Sequence, residues 1–336
     1  MLIGCTSVES SETEDASIFV EDETIVYSEP DVLSEPEIIY EEEEDEEPVV
    51  AFISSAVGGN FPVFSAQYDE MWQEVLFPQW VEVLSEDGYW LEVLIEGESW
   101  WIDMDFVPPV DELTEAFLLM GDDTSFYFHN LETGFSYGFN SDKVYRGASV
   151  GKVFFAHFLY LQDELGVIAL TEQERLWIQY TLRTSLDEFS DNLHARYGLI
   201  AYNDWLNDQG VYNLQNPHHH YGSTAQFSAE EAALLMYGIY QYFRTATPNA
   251  IEFRENMVSN EVPFIVSNNY EVASKTGWVY VWEVIHDVAI VKSPSPYILV
   301  ILSQNPRIGG TRNHRHYFEQ FSQLFEEFND RWFVTE

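Results

Sequence analysis

The chain has 336 residues and a formal charge of -44, from 58 acidic and 14 basic side chains. The first 50 residues hold 18 of the acids and no Lys or Arg, so the remaining 286 still carry 14 basic against 40 acidic residues, a balance of -26. A surface this acidic repels polyphosphates and anionic bilayers, which excludes nucleic acid as a partner and leaves a membrane reachable only through a covalent anchor. It suits a salt-adapted or an acidic secreted protein, whose carboxylates keep it hydrated. The single cysteine, Cys5, excludes an internal disulfide. No stretch approaches the roughly 18 apolar residues of a membrane span. The length fits two folded units plus unstructured sequence.

In chain order, Leu2-Ile3-Gly4-Cys5 comes first and resembles a bacterial lipobox, in which the cysteine is lipidated after signal cleavage. That resemblance implies a remnant lipoprotein signal over residues 1–5 and a lipid-anchored extracytoplasmic protein of a bacterium; an incidental free thiol is the alternative. Residues 6–48 are rich in Ser, Thr, Asp and Glu and end in the run Glu41 to Glu47. Like charges packed so densely oppose collapse, so a disordered acidic linker is expected.

From 49 to 110 short β runs take over. Trp80 to Leu84 alternates, Ser85 to Gly88 supplies a turn, and Tyr89 to Val93 and Trp100 to Asp103 follow. Five-residue strands joined by Gly-containing turns predict a small barrel. Through Gly88-Tyr89-Trp90-Leu91-Glu92-Val93 and Ser99-Trp100-Trp101-Ile102 the stretch resembles a bacterial SH3-like (SH3b) domain, which implies a cell-wall ligand; a purely structural spacer is the alternative.

Residues 111–336 read as mixed α and β. Thr124 to His129, a turn at Asn130 to Gly134, and Phe135 to Phe139 predict a hairpin. Val153 to Leu165 has helical periodicity with Gly166 just beyond it, and Ala229 to Phe243 follows Ser228 as N-cap with Glu231 at the capping-box position. Val272 to Thr276, Asp287 to Val291 and Tyr297 to Leu302 predict three strands, and 313–330 a closing helix.

The chemistry lies with lysine, of which the chain has only four. Ser149 and Lys152 stand at i and i+3 at the start of a helix, on one face and within reach of each other. A serine hydroxyl needs a base, and lysine serves as one only when burial or a second cation lowers its pKa. Lys275 is the second cation to expect. Ser190-Asp191-Asn192 follows Lys152 by 38 residues, and Lys275-Thr276-Gly277 follows Asn192 by 83.

The set Ser-x-x-Lys, Ser-Asp-Asn, Lys-Thr-Gly in this order resembles the penicillin-recognising serine acyltransferases, specifically class A β-lactamase-like proteins, over about residues 112–334. The resemblance implies an α+β fold, an antiparallel sheet flanked by helices, with the site between sheet and helical lobe. It implies that Ser149 forms the acyl-enzyme, Lys152 takes its proton, and Ser190 passes a proton to the departing amine with help from Lys275. It further implies that Asn192 binds an amide carbonyl, that Lys275 and Thr276 hold a substrate carboxylate, and that Trp278 beyond Gly277 shares the oxyanion hole with Ser149 through their N–H groups. The acyl donors it implies are peptidoglycan stem peptides or β-lactams, with no cofactor.

One departure matters. The Glu-x-x-Leu-Asn loop of class A enzymes has no counterpart between Asn192 and Ser228, where Asp204 and Asp208 are the only acids. Slow deacylation follows, so a D,D-peptidase-like hydrolase is expected before a β-lactamase. A non-catalytic wall-binding or sensor lipoprotein is the third reading. His218-His219-His220 falls where the loop would be, but adjacent histidines seldom converge on one ion, and no metal is expected. Trp278, Tyr280 and Trp282 alternate and either line a cleft or pack as one hairpin face.

Overall fold

The computed structural model describes residues 50–53, 61–64, 72–75, 79–118, 123–212, 226–279, 283–304 and 314–334. Cys5, the acidic stretch 6–48, the three histidines at 218–220, Tyr280 and Trp282 lie outside the described residues.

Six antiparallel strands make the first sheet: β1 (Val50–Ile53), β2 (Phe61–Phe64), β3 (Trp72–Val75), β4 (Gln79–Asp87), β5 (Trp90–Ile95) and β6 (Glu98–Asp103), in the order β1-β4-β5-β6-β2-β3. The three strands expected between Trp80 and Asp103 correspond to β4, β5 and β6, but β4 runs on through Asp87, so the turn falls at Gly88 and Tyr89 rather than at Ser85 to Gly88. Alternation sends Val81, Leu91, Val93 and Ile102 into a small core with Trp100 packed beside it.

After α1 (Val110–Leu118) a second sheet forms from β7 (Thr124–Asn130), β8 (Ser136–Phe139), β11 (Glu271–Val279), β12 (Val284–Lys292) and β13 (Tyr297–Gln304). It is antiparallel throughout, in the order β11-β12-β13-β7-β8. The predicted hairpin and the three predicted strands are all present. β12 and β13 are buried on both faces, and their alternation sorts the core into two halves. Val288, Ile290, Ile298, Val300 and Leu302 face one cluster, and Ile285, Ala289, Val291, Leu299 and Ile301 face the other.

The second cluster is covered by α1 and by α8 (His314–Phe333), which contributes Phe318, Phe321, Phe325, Phe328, Trp332 and Phe333. Its rings interlock, with Phe126 edge-on to Phe117 and Phe325 at 4.7 and 5.1 Å between centroids. The first cluster belongs to the helical lobe: α2 (Gly151–Glu164), α3 (Glu172–Thr184), α4 (Asp187–Tyr197), α5 (Ile200–Asp208), α6 (Ala229–Arg244) and α7 (Pro248–Val258). A two-stranded ribbon, β9 (Tyr145–Arg146) with β10 (Gln226–Phe227), completes the described elements.

Residues Gly151 to Tyr160 of α2 are all buried, so this helix is the axis of the lobe. Burial on every side explains why its sequence is apolar nearly all round. Thr171 with Glu174 and Ser228 with Glu231 form full capping boxes on α3 and α6, the second as expected. The site lies where the first turn of α2 meets β11, the strand at one end of the second sheet.

Candidate active site

Ser149 sits in a 3-10 turn, Ala148–Val150, that runs into α2. Ala148 is buried and holds φ 46°, a left-handed conformation that costs a residue with a Cβ of order 1 kcal/mol or more. The surroundings enforce it through two glycines. A Cβ on Gly147 would lie 2.1 Å from the Phe227 ring, and one on Gly277 would lie 2.8 Å from the backbone nitrogens of both Ser149 and Val150. The Lys-Thr-Gly strand therefore runs against the nucleophile turn at a separation only glycine allows. This packing brings the Ser149 N–H and the Gly277–Trp278 backbone together.

A buried histidine fixes the approach to that turn. The Ser303 N–H donates to His286 Nδ1 at 3.1 Å, so Nε2 carries the hydrogen and donates to the Arg146 carbonyl at 2.6 Å. Burial pushes the His286 pKa down to about 4, which keeps the ring neutral with that tautomer.

Lys152 is buried, and its Nζ donates to the Ser185 carbonyl at 2.7 Å and to Asp187 Oδ1 at 2.6 Å. Burial lowers its pKa below the ordinary lysine value, against the opposing pull of the Asp187 carboxylate. Lys275 has no exposed surface, and its Nζ donates to Ser185 Oγ and to the Thr276 carbonyl, each at 2.7 Å. Burial and the charge of Lys152 push its pKa down to about 7. The two lysines thus meet around one residue, Ser185.

That residue is not the expected one. Ser185 is the C-cap of α3 at φ 64°, and Leu186 in extended conformation leads directly into α4. The kink turns the Ser185 hydroxyl toward Lys275 and its carbonyl toward Lys152. Ser190 lies one turn inside α4, buried, with its hydroxyl donating to the Asp187 carbonyl at 2.8 Å. A serine within a helix commonly satisfies itself on the preceding turn, and Ser190 does so here. Ser185-Leu186-Asp187 thus stands at the lysines, whereas Ser190, the serine expected there, bonds within its own helix.

The helix boundaries carried the signal for this. A capping box at Thr171 starts a helix that ends by Thr184, and Asp187 with Glu188 marks the acidic first turn of the next. A serine in the break between two helices is free to turn its side chain toward other elements.

Thr276 has no exposed surface and lies opposite Asp287 in the register. Neighbouring residues of a strand point to opposite faces, so Lys275 turns to the helical lobe and Thr276 away from it. Its hydroxyl has no partner among the described residues. Asp287 is buried too; its Oδ2 accepts from the Phe264 and Ile265 N–H groups at 2.8 Å, and burial raises its pKa. The Trp278 ring packs with Phe264 at 6.0 Å on the α8 side, the packing rather than the cleft-lining alternative for that residue. Asp204 is an exposed carboxylate on α5. Among the described residues no cluster of His, Cys, Asp or Glu could hold a metal ion.

Comparison with known proteins agrees with this geometry. Residues 187–327 match the model of the beta-lactamase enzyme family, Beta-lactamase2. No curated protein matches the chain. Among solved structures, a beta-lactamase from Chitinophaga pinensis is similar with a TM-score of 0.56 and 18% identity, covering 64% of this chain and 97% of that one. A beta-lactamase from Sphaerobacter thermophilus has a TM-score of 0.56 and 15% identity, covering 64% and 96%. A mutant of PBP-A in an acyl-enzyme complex with penicillin G has a TM-score of 0.55 and 19% identity, covering 66% and 98%. The fold is that of these enzymes, and the family match, which takes in Lys275 but begins after Ser149 and Lys152, supports a β-lactamase-like serine hydrolase.

Proposed function

We propose that this chain is a serine acyl-enzyme hydrolase of the penicillin-recognising type, acting first on D-Ala-D-Ala-like stem peptides. The observation that carries the reading is the convergence of two buried lysines on Ser185 beside the strained turn of Ser149. In this reading Lys152 takes the Ser149 proton as the hydroxyl attacks the substrate carbonyl. Ser185, bonded to Lys275, hands a proton to the departing amine. Lys275 supplies the positive charge that holds a substrate carboxylate, and the N–H groups of Ser149 and Trp278 meet the oxyanion.

A β-lactamase is the second reading, favoured by the fold it shares with the beta-lactamases of Chitinophaga pinensis and Sphaerobacter thermophilus. Both share the acylation step and differ in acyl donor. Steady turnover of a D-Ala-D-Ala peptide and of a chromogenic cephalosporin, each measured for the wild type and Ser149→Ala, separates them. Loss of both activities in the variant supports the mechanism, and the larger kcat/KM names the substrate. Activity that survives in Ser149→Ala contradicts it. The strands of 79–103 support an SH3-like wall-binding module, and Cys5 with the acidic stretch after it supports lipid tethering outside the cytoplasm; pull-down on purified cell wall and metabolic lipid labelling test these.

A further inference from the structure

Asp187 closes the segment that stands at the lysines, and only one of its two carboxylate oxygens is engaged there. Its side chain is 78% exposed while Lys152, which it touches at 2.6 Å, has none of its side chain exposed. One carboxylate oxygen is thus committed to the base that lies one helical turn from Ser149, while most of the side chain faces solvent. A carboxylate is acceptor-only, so the free oxygen can take a hydrogen from water.

Other carboxylates fail on position. Asp287 is sealed behind β11 with its Oδ2 on two backbone N–H groups. Asp204 and Asp208 stand exposed on α5. The stretch 213–225 contains no Asp or Glu at all.

We propose that Asp187 is the general base that activates the deacylating water. The inference rests on Ser149 forming the acyl-enzyme. Water attacks the ester carbon, its oxygen forming the new C–O bond while its proton passes to the free oxygen of Asp187. The tetrahedral intermediate collapses, the bond from carbon to Ser149 Oγ breaks, and that oxygen takes a proton from the Lys152 ammonium. Product leaves as the carboxylic acid, Asp187 returns its proton to Lys152 across the 2.6 Å contact, and Lys152 gives up one proton to replace the one Ser185 lost to the amine, so every group regains its starting state. A carboxylate at this point removes the expectation of slow hydrolysis that the missing glutamate loop raised.

The test follows the mass of the intact protein after mixing with benzylpenicillin, for wild type, Asp187→Asn, Asp187→Glu and Asp191→Asn. Asparagine keeps an acceptor for Lys152 but cannot take a proton. Asp187→Asn should still gain the adduct, and its decay should slow by at least about 100-fold, the usual worth of a general base. Asp187→Glu restores the carboxylate and should decay faster than Asp187→Asn. Asp191, whose charge also reaches Lys152, is the positional control, and Asp191→Asn should decay like wild type. The proposal falls if Asp187→Asn loses its adduct at the wild-type rate, if it cannot acylate at all, or if Asp191→Asn is the variant that stalls. A wild type that never gains mass refutes the acyl-enzyme reading itself, and one that acylates but never clears refutes the role of Asp187 alone.

Discussion

Replacing Ser185 and Ser190 separately by alanine distinguishes the two candidate second motifs. Ser185 Oγ is one of two acceptors for the buried Lys275 ammonium, at 2.7 Å. A hydrogen bond to a charged group is worth about 2 kcal/mol, which is a factor of about 30 if it is lost in the transition state. Loss of proton transfer to the leaving amine takes the effect toward about 10²–10⁴. In Ser190→Ala only a hydroxyl bond to the Asp187 carbonyl disappears. Alanine is the better helix former, so stability should change by less than about 1 kcal/mol and acylation by less than about threefold. The assay is the second-order rate of acylation by a fluorescent penicillin, with the urea midpoint as the folding control. A slow Ser190→Ala beside a normal Ser185→Ala would refute the assignment.

Three further outcomes follow from the same geometry. Gly277→Ala puts a Cβ 2.8 Å from two backbone nitrogens, so the nucleophile turn must shift by about half an ångström and acylation should fall about 100-fold; an unchanged rate contradicts the close approach. His286 binds fewer protons folded than unfolded, because burial lowers its pKa from 6.5 to about 4. Its contribution to stability is therefore complete above about pH 6.5 and is lost toward pH 4, by about 3 kcal/mol. His286→Gln should reduce the slope of unfolding free energy against pH by about one proton in that window, and an unaltered slope opposes a neutral ring in the fold. Arg175 joins Asp163 and Glu252, both at 2.6 Å, and so ties α2, α3 and α7 together. Arg175→Ala should cost about 2 kcal/mol in urea unfolding while leaving Ser149 able to acylate.

Much of the sheet was legible because its strands carry long apolar runs between clear turns. The hairpin at 124–139 and the three strands from 271 to 304 follow from that pattern, and α6 from its capping box. Ser149, Lys152, Lys275 and Gly277 were legible because the chemistry demands those residue types at short spacings, which local geometry preserves. The second motif was not. Its place depends on where α3 ends and α4 begins, a boundary that shifts a serine from cleft to helix interior within five residues of sequence. Asp187 was illegible for the same reason: nothing local shows that a helix's first acidic residue lies against a buried lysine 35 positions earlier. His286 was hidden by distance in sequence too, since its partners, Arg146 and Ser303, come from two other strands.

The acyl-enzyme itself is the most direct measurement. After incubation with benzylpenicillin, intact-mass analysis with peptide mapping should find one adduct, on the peptide that carries Ser149, and none on Ser149→Ala. An adduct on another residue, or no adduct on a folded wild-type protein, would contradict the account.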